Sequence, residues 1–370
     1  MSEVLTVDAI LFGFLVFSGI LGNILVIHVV FQSAIENLSR RLPPSDIILA
    51  NLSLANLLTS LFRTVPIFVS DLGLDVSLSQ GWCRLFMLLW VWWRAVGCWV
   101  TLTLSAFHCA TLKRQHVAMG PLAQEHERRK VWVALGLVWG LNLAFSLPAL
   151  VYTTHVQGNA TVELMVISCT TRPLLGCMWE FPSEEQGSAF ASTSLVLNEV
   201  VPLMLMVGTN LATLHSLAKH IRAVTSAGEA GGGTHGALDR HVSSERKASH
   251  VIMLLVMLFV VCWVLQVAAV TYYNHNRGHH AEELLTVAHF SASVFVGFSP
   301  MVVALGHGKL RRRIMRMIAG CADRVKFQQE KIIDESKAPD TRETTAKQTV
   351  FTIQKEREVV KSEERVKANK

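Results

Sequence analysis

Seven apolar runs of roughly twenty or more residues, each closed off by a short block of charge, constrain this chain more than any other feature. At 1.5 Å rise per residue, about twenty residues reach across a hydrocarbon core of about 30 Å. Inside such a core each backbone polar group has to be satisfied within its own segment, so runs of this length have to be helices. They fall at about Val7 to Phe31, Asp46 to Val69, Cys83 to Gln115, Val131 to Thr153, Ala191 to Leu217, Val251 to Tyr273 and Leu284 to Leu305. The expectation is an all-α membrane protein: a seven-transmembrane helix bundle of receptor architecture over residues 7–306. Before the first run stand residues 1–6, with no basic region and no small-residue cleavage site after the run, so it reads as a retained helix.

Of the 370 residues, 51% are hydrophobic and only 17% charged, and the charges lie between the runs, where a soluble fold would interleave them. The net charge of +6 therefore reads as topology and not as a nucleic-acid surface. About 17 Lys and Arg lie in or near the segments after runs one, three, five and seven, and about 3 after runs two, four and six. This bias predicts a multi-pass plasma-membrane protein with its N-terminus outside and its C-terminus inside.

The outer segment His155 to Ser188 carries Cys169 and Cys177, and Cys83 opens the third run on the same side, where a disulfide persists. Asn159-Ala160-Thr161 is the one acceptor triplet placed to meet the glycosylation machinery. A segment of roughly thirty residues between runs five and six, with its Gly231-Gly232-Gly233 run, reads as a flexible cytoplasmic loop. After the seventh run, residues 307–321 alternate basic and apolar residues at helical spacing. That pattern suits a short amphipathic helix on the inner leaflet, with Cys321 as a candidate for palmitoylation. Residues 322–370 are highly charged and read as a largely disordered cytoplasmic tail.

Polar side chains recur at one depth in the outer half of the spans: Arg63, Arg94, Asn198, Glu199, Gln266 and His289. An arginine at the centre of a span costs roughly 2.5 to 3.5 kcal/mol on insertion scales, so Arg94 has to face protein, water or a partner. Two readings of this layer stand. The six residues line a ligand site open to the outside, or Arg94 and Glu199 pair to lock helices together with no ligand. Two arginines against one glutamate favour an anionic or amphipathic ligand. Trp90, Trp92, Trp93 and Trp99 supply apolar packing.

No catalytic constellation, metal motif or cofactor motif is present in the sequence, and the seventh run has no lysine for a retinal Schiff base. Internal repeats of the kind transporters use are absent, which leaves a transporter as the weaker alternative to a receptor.

Several stretches resemble one family, the vomeronasal type-1 receptors and their fish relatives, the class A-related olfactory receptors. They are Pro44-Ser45-Asp46-Ile47-Ile48-Leu49 with Arg63-Thr64-Val65-Pro66, then Arg94 with Leu104-Ser105-Ala106-Phe107, then Ser244-Glu245-Arg246-Lys247-Ala248, and Phe298-Ser299-Pro300 with Lys309-Leu310-Arg311. The departures from ordinary rhodopsin-like receptors point the same way. Phe107-His108-Cys109-Ala110 stands in place of Asp-Arg-Tyr, Asn56 in place of an aspartate, and Cys262-Trp263 has no proline after it. The resemblance implies a chemosensory receptor that binds a small odorant or pheromone in the outer half of the bundle and activates a heterotrimeric G protein. A receptor for an endogenous peptide or lipid is the alternative. The resemblance also implies Cys177 as the partner of Cys83, with Cys169 the alternative, and the long tail after Cys321 leans toward the fish branch.

Overall fold

The computed structural model describes residues 7–36, 42–72, 77–114, 121–155, 175–230, 235–275 and 281–306, and parts of 311–357. The chain divides into two units, Met1–Ile314 and Met315–Lys370. In the first, the helices α1 (Val7–Glu36), α2 (Pro44–Thr59), α3 (Val65–Asp71), α4 (Gln80–Arg114) and α5 (Pro121–Ser146) follow in order. They are succeeded by α6 (Pro148–Val151), α7 (Glu184–Leu195), α8 (Val201–Ala230), α9 (His235–His275) and α10 (Ala281–Gly306). A π-helical turn at Ser60–Thr64 joins α2 to α3, and a second at Val196–Val200 joins α7 to α8, so each of these pairs forms one span. Among the described residues six helices are long and apolar enough to cross a membrane, and the seventh span, α10, carries the shorter apolar stretch Ser293–Val303.

The bundle is built around α4. Its 35 residues extend about 52 Å, and it is the most enclosed of the six long spans, packing against α2, α5, α8 and α9. The outward faces of α1 and α5 are the reverse of a soluble surface, with Phe14, Phe17, Leu137 and Leu141 exposed. Such a band matches a hydrocarbon surround.

Polar pairs fasten the spans where the sequence shows only isolated Asn and Ser. Asn23 in α1 donates through Nδ2 to the carbonyls of Gly19, at 2.7 Å, and of Val296 in α10, at 3.3 Å. Asn56 in α2 donates to Ser299 Oγ in α10 at 3.0 Å. Trp92 Nε1 donates to the Trp139 carbonyl at 2.9 Å, and Trp139 Nε1 donates to Asn51 Oδ1 at 3.2 Å, tying α4 to α5 and α5 to α2. In a surround without water, each bond satisfies a group that has no other solvent.

Spans one and seven touch at Gly22, where a Cβ would lie 2.6 Å from Pro300 Cγ. Only glycine fits there without a shift of the proline ring. Gly22→Ala is expected to destabilise the bundle by about 1 to 3 kcal/mol through overpacking, read as a lower midpoint of thermal unfolding in detergent.

The departure from an all-helical chain, among the described residues, is a two-stranded antiparallel pair. In it β1 (Thr153–His155) runs against β2 (Cys177–Trp179), in register Thr153 with Trp179 and His155 with Cys177. Leu175 and Gly176 turn the chain into β2 with positive φ of 55° and 75°. Cys177 is bonded to Cys83 at the start of α4, Cα to Cα 5.3 Å, so the pair is pinned across that end of the bundle. Trp179 and Phe181 stack beside it and Phe190 meets both at a tilt, with centroids 5.0 to 5.6 Å apart.

Two expectations are corrected here. The fourth run does not continue as one helix to Thr153: α5 ends at Ser146, a single turn follows Pro148, and β1 begins at Thr153. Pro148 has no N–H and its ring crowds the carbonyl of residue 144, which interrupts the ladder. Nor is there a thirty-residue flexible loop between runs five and six. There α8 continues to Ala230 and α9 starts at His235, so the charged stretch on both sides is helical; Gly231-Gly232-Gly233 lies outside the described residues.

Asn159, Cys169 and Cys321 also lie outside the described residues. Within 307–321, residues 311–312, 315–316 and 319–320 are helical and exposed. In the second unit, residues 322–326 and 328–330 are helical and exposed as well.

A candidate ligand site in a buried arginine layer

Two prolines build the site locally. Pro66 and Pro202 each follow a π-helical turn by two residues. Each lacks the N–H that would bond the carbonyl four residues back, and its ring pushes that carbonyl away. The helix widens in response. Val65 N–H donates to the Ser60 carbonyl and Val201 N–H to that of Val196, five residues back instead of four. Arg63 sits in the first widened turn, Asn198 and Glu199 in the second, and all three are buried.

Arg94 meets them from α4. Its Nη2 donates to Glu199 Oε1 at 2.9 Å, with only 3% and 1% of the two side chains exposed. Gln266 of α9 joins the pair to Arg63. With its amide oxygen facing the two guanidinium groups, the orientation that gives both of its polar atoms sensible partners, it accepts from Arg94 Nη1 at 3.1 Å and from Arg63 Nη2 at 3.2 Å. Four of the six candidates from four spans thus form one continuous network.

Both guanidinium groups also lie over aromatic faces, Arg63 5.6 Å from the Trp90 ring centre and Arg94 4.8 Å from that of Trp263. A cation over an indole face is attracted by about 0.5 to 2 kcal/mol, more where water is excluded. Phe259 stacks behind Trp263 at 4.8 Å, and Phe295 meets Phe259 edge-on at 4.8 Å. The position of Arg94 is therefore mechanically linked to α9 and α10.

The layer also holds buried donors that the protein does not use. Trp90 Nε1, Trp263 Nε1 and Asn198 Nδ2 have no hydrogen-bond partner among the described residues. An orphaned buried donor costs about 1 to 3 kcal/mol, and these three belong to residues that touch or adjoin the network in sequence. Asn198 has no hydrogen bond to Arg63, Arg94 or Gln266 among the described residues; it lies beside Glu199 on the same turn. His289 lies on α10, and its side chain is outside the described residues.

Sequence reasoning placed Trp90 among packing residues and read Trp263 only as part of a motif. The signal for their role is their spacing: Trp90 lies one turn before Arg94, and Trp263 lies three residues before Gln266 on the same face of α9.

Comparison with known proteins decides the family. The rhodopsin-family 7 transmembrane receptor profile matches residues 22–302. The chain belongs to the rhodopsin family of seven-transmembrane receptors. It is 76% identical over 331 residues to olfactory receptor class A-like protein 4 of Danio rerio, covering 90% of this chain and 95% of that protein. More distantly, it is 22% identical to the QRFP-like peptide receptor of Branchiostoma floridae, over 88% of this chain and 80% of that one. It is 25% identical to the tachykinin-like peptides receptor 86C of Drosophila melanogaster, over 74% of this chain and half the length of that receptor. The family is one of receptors and not of enzymes, its members are multi-pass membrane proteins, and a ligand and a G protein are their partners in general. The transporter alternative falls with this match. The match also holds although Asp-Arg-Tyr and the proline after Cys262-Trp263 are missing.

Proposed function

We propose that this receptor is chemosensory and of the vomeronasal type-1-like olfactory branch. It takes a small odorant or pheromone bearing a hydrogen-bond acceptor group, such as a carboxylate, into the layer of Arg63, Arg94, Glu199 and Gln266. The observation that carries this reading is the coincidence of two guanidinium groups with three orphaned indole and amide donors in one buried layer. The high identity to the zebrafish olfactory receptor class A-like protein supports the sensory assignment. The bias of Lys and Arg supports an orientation with the disulfide-bearing end outside at the plasma membrane, the tail inside, and Asn159 exposed to glycosylation.

The proposed mechanism follows from the contacts. A ligand acceptor that engages Arg94 competes with Glu199 for it and draws the guanidinium off the Trp263 face. The freed indole lets α9 shift against α10, and a heterotrimeric G protein reads that shift at the inner end. Ligand free energy enters only through this difference in contacts.

Ligand-dependent nucleotide exchange on a G protein in vesicles tests the reading, with small carboxylates set against their methyl esters. The acids are expected to drive exchange and the esters to be at least tenfold weaker, about 1.4 kcal/mol. Arg63→Gln is expected to weaken the response to the acid more than to the ester. A second reading, a receptor for an endogenous peptide, draws on the likeness to the peptide receptors. Exchange driven by peptides, with none from small acids, would replace the first reading with the second.

A further inference from the structure

At the end of the bundle opposite the disulfide, the first turns of α5 form a basic collar. Arg128 pairs with Glu125, and Lys130 pairs with Glu127 at 3.0 Å. Glu127 also takes Arg114 of α4 at 2.7 Å. Between these paired cations stands Arg129, exposed and with no hydrogen bond or ion pair among the described residues. Two shallow, open surface grooves flank it. One, about 450 Å³, lies between α5 and the start of α2 and reaches Leu42, Ile47 and Trp132. The other, about 350 Å³, lies on the far side of α5 along Val133 and Leu137. Arg129 lines both.

We propose that this face of α5 binds an anionic phospholipid, with its phosphate on Arg129 and its acyl chains running along Trp132, Val133 and Leu137. Three features select this occupant. Arg129, Val133 and Leu137 recur every four residues, so one helix face carries a cation at its base and an apolar track above it, about 12 Å long. The three apolar residues are 55%, 55% and 56% exposed, which suits lipid chains and not water. The neighbouring carboxylates are already engaged by Arg128, Lys130 and Arg114, so they do not cancel the charge of Arg129. A headgroup phosphate supplies the missing counter-charge at the depth where the interface lies. The open grooves on either side leave room for the two chains.

The inference rests on the orientation proposed above, which puts this end of α5 at the anionic inner leaflet. The orientation is checked independently by whether a tag after residue 370 becomes accessible only on permeabilising cells.

The full chain, purified in detergent with an equimolar mixture of phosphatidylserine and phosphatidylcholine, is examined by native mass spectrometry for retained lipid. The wild type is expected to keep phosphatidylserine in preference. Arg129→Gln is expected to lower that preference about fivefold, in line with the usual contribution of one basic residue at an anionic surface. Arg129→Lys is expected to keep most of it, and Arg312→Gln, outside the collar, all of it. Equal retention of the two lipids by the wild type, or an unchanged preference in Arg129→Gln, overturns the proposal. If the tag is accessible without permeabilisation while the lipid preference holds, the site stands and the orientation fails.

Discussion

Arg94→Met is expected to destabilise the bundle by roughly 3 to 5 kcal/mol, and adding Glu199→Met to return most of that loss. The single change leaves the Glu199 carboxylate, of which 1% is exposed, without the guanidinium 2.9 Å away. A charge stranded in a low-dielectric interior is far more costly than a missing pair, because the desolvation of both ions is no longer offset by their attraction. The double change removes both ions and puts two flexible apolar side chains in their place. The midpoint of thermal unfolding, followed in the same detergent for wild type, single and double variants, gives the comparison. The double variant also separates the two roles the sequence leaves open for Arg94. If the pair only locks helices, a refolded double variant still responds to small acids. The proposed ligand contact predicts that it is stable and silent. A double variant no more stable than Arg94→Met would mean that Gln266 and Trp263, and not Glu199, carry the position of Arg94.

The second large effect is expected from Cys83→Ala or Cys177→Ala. The bond closes a loop across a sequence separation of 94. Cross-linking a loop of that length lowers the entropy of the unfolded chain by an amount equivalent to about 4 to 5 kcal/mol. The loss should be alike for the two cysteines, and Cys83→Ala with Cys177→Ala should cost no more than either alone, since the bond is lost once. Cys169→Ala should leave stability near wild type. Surface expression at 37 °C and the unfolding midpoint measure all four. In the folded protein the consequence is local: β2 is held against α4 by Cys177, and the cluster of Trp179, Phe181 and Phe190 rests on β2. Reduction should therefore loosen the rim above the arginine layer before it loosens the layer itself.

Much of the architecture is legible in the sequence because a bilayer leaves few choices. A run of twenty apolar residues has to be a helix, and counting along antiparallel helices from either end gives depth. That arithmetic is why Arg63, Arg94, Glu199 and Gln266 appear as one layer before any coordinates, and the Arg94 to Glu199 pair is among the readings it allows. Gln266 as the link between both arginines is not legible, since it depends on how α9 is rotated against α2 and α4. The extensions of α8 beyond its apolar run and of α9 before its own escape for a different reason. Charged helix outside the bilayer has no apolar period to betray it, and the glycines near 231 argue for a loop. The strand pair escapes because β1 and β2 are three residues each, and their meeting is fixed by the disulfide and not by either segment's own pattern.

The widened turns at Ser60–Thr64 and Val196–Val200 make the site sensitive to residue count in a way hydropathy does not register. Each holds an extra residue that ordinary α-helical geometry has no place for. Deleting one residue there would close the turn to a regular, continuous apolar helix of adequate length, with the flanking halves in phase and the residues of the turn re-aimed by up to about 100°. The span would insert as before while Arg63, or Asn198 and Glu199, turned from the bundle interior toward lipid. Among relatives of this receptor, a one-residue gap within these two turns is accordingly a better marker of a re-aimed binding site than any number of substitutions on the outward faces.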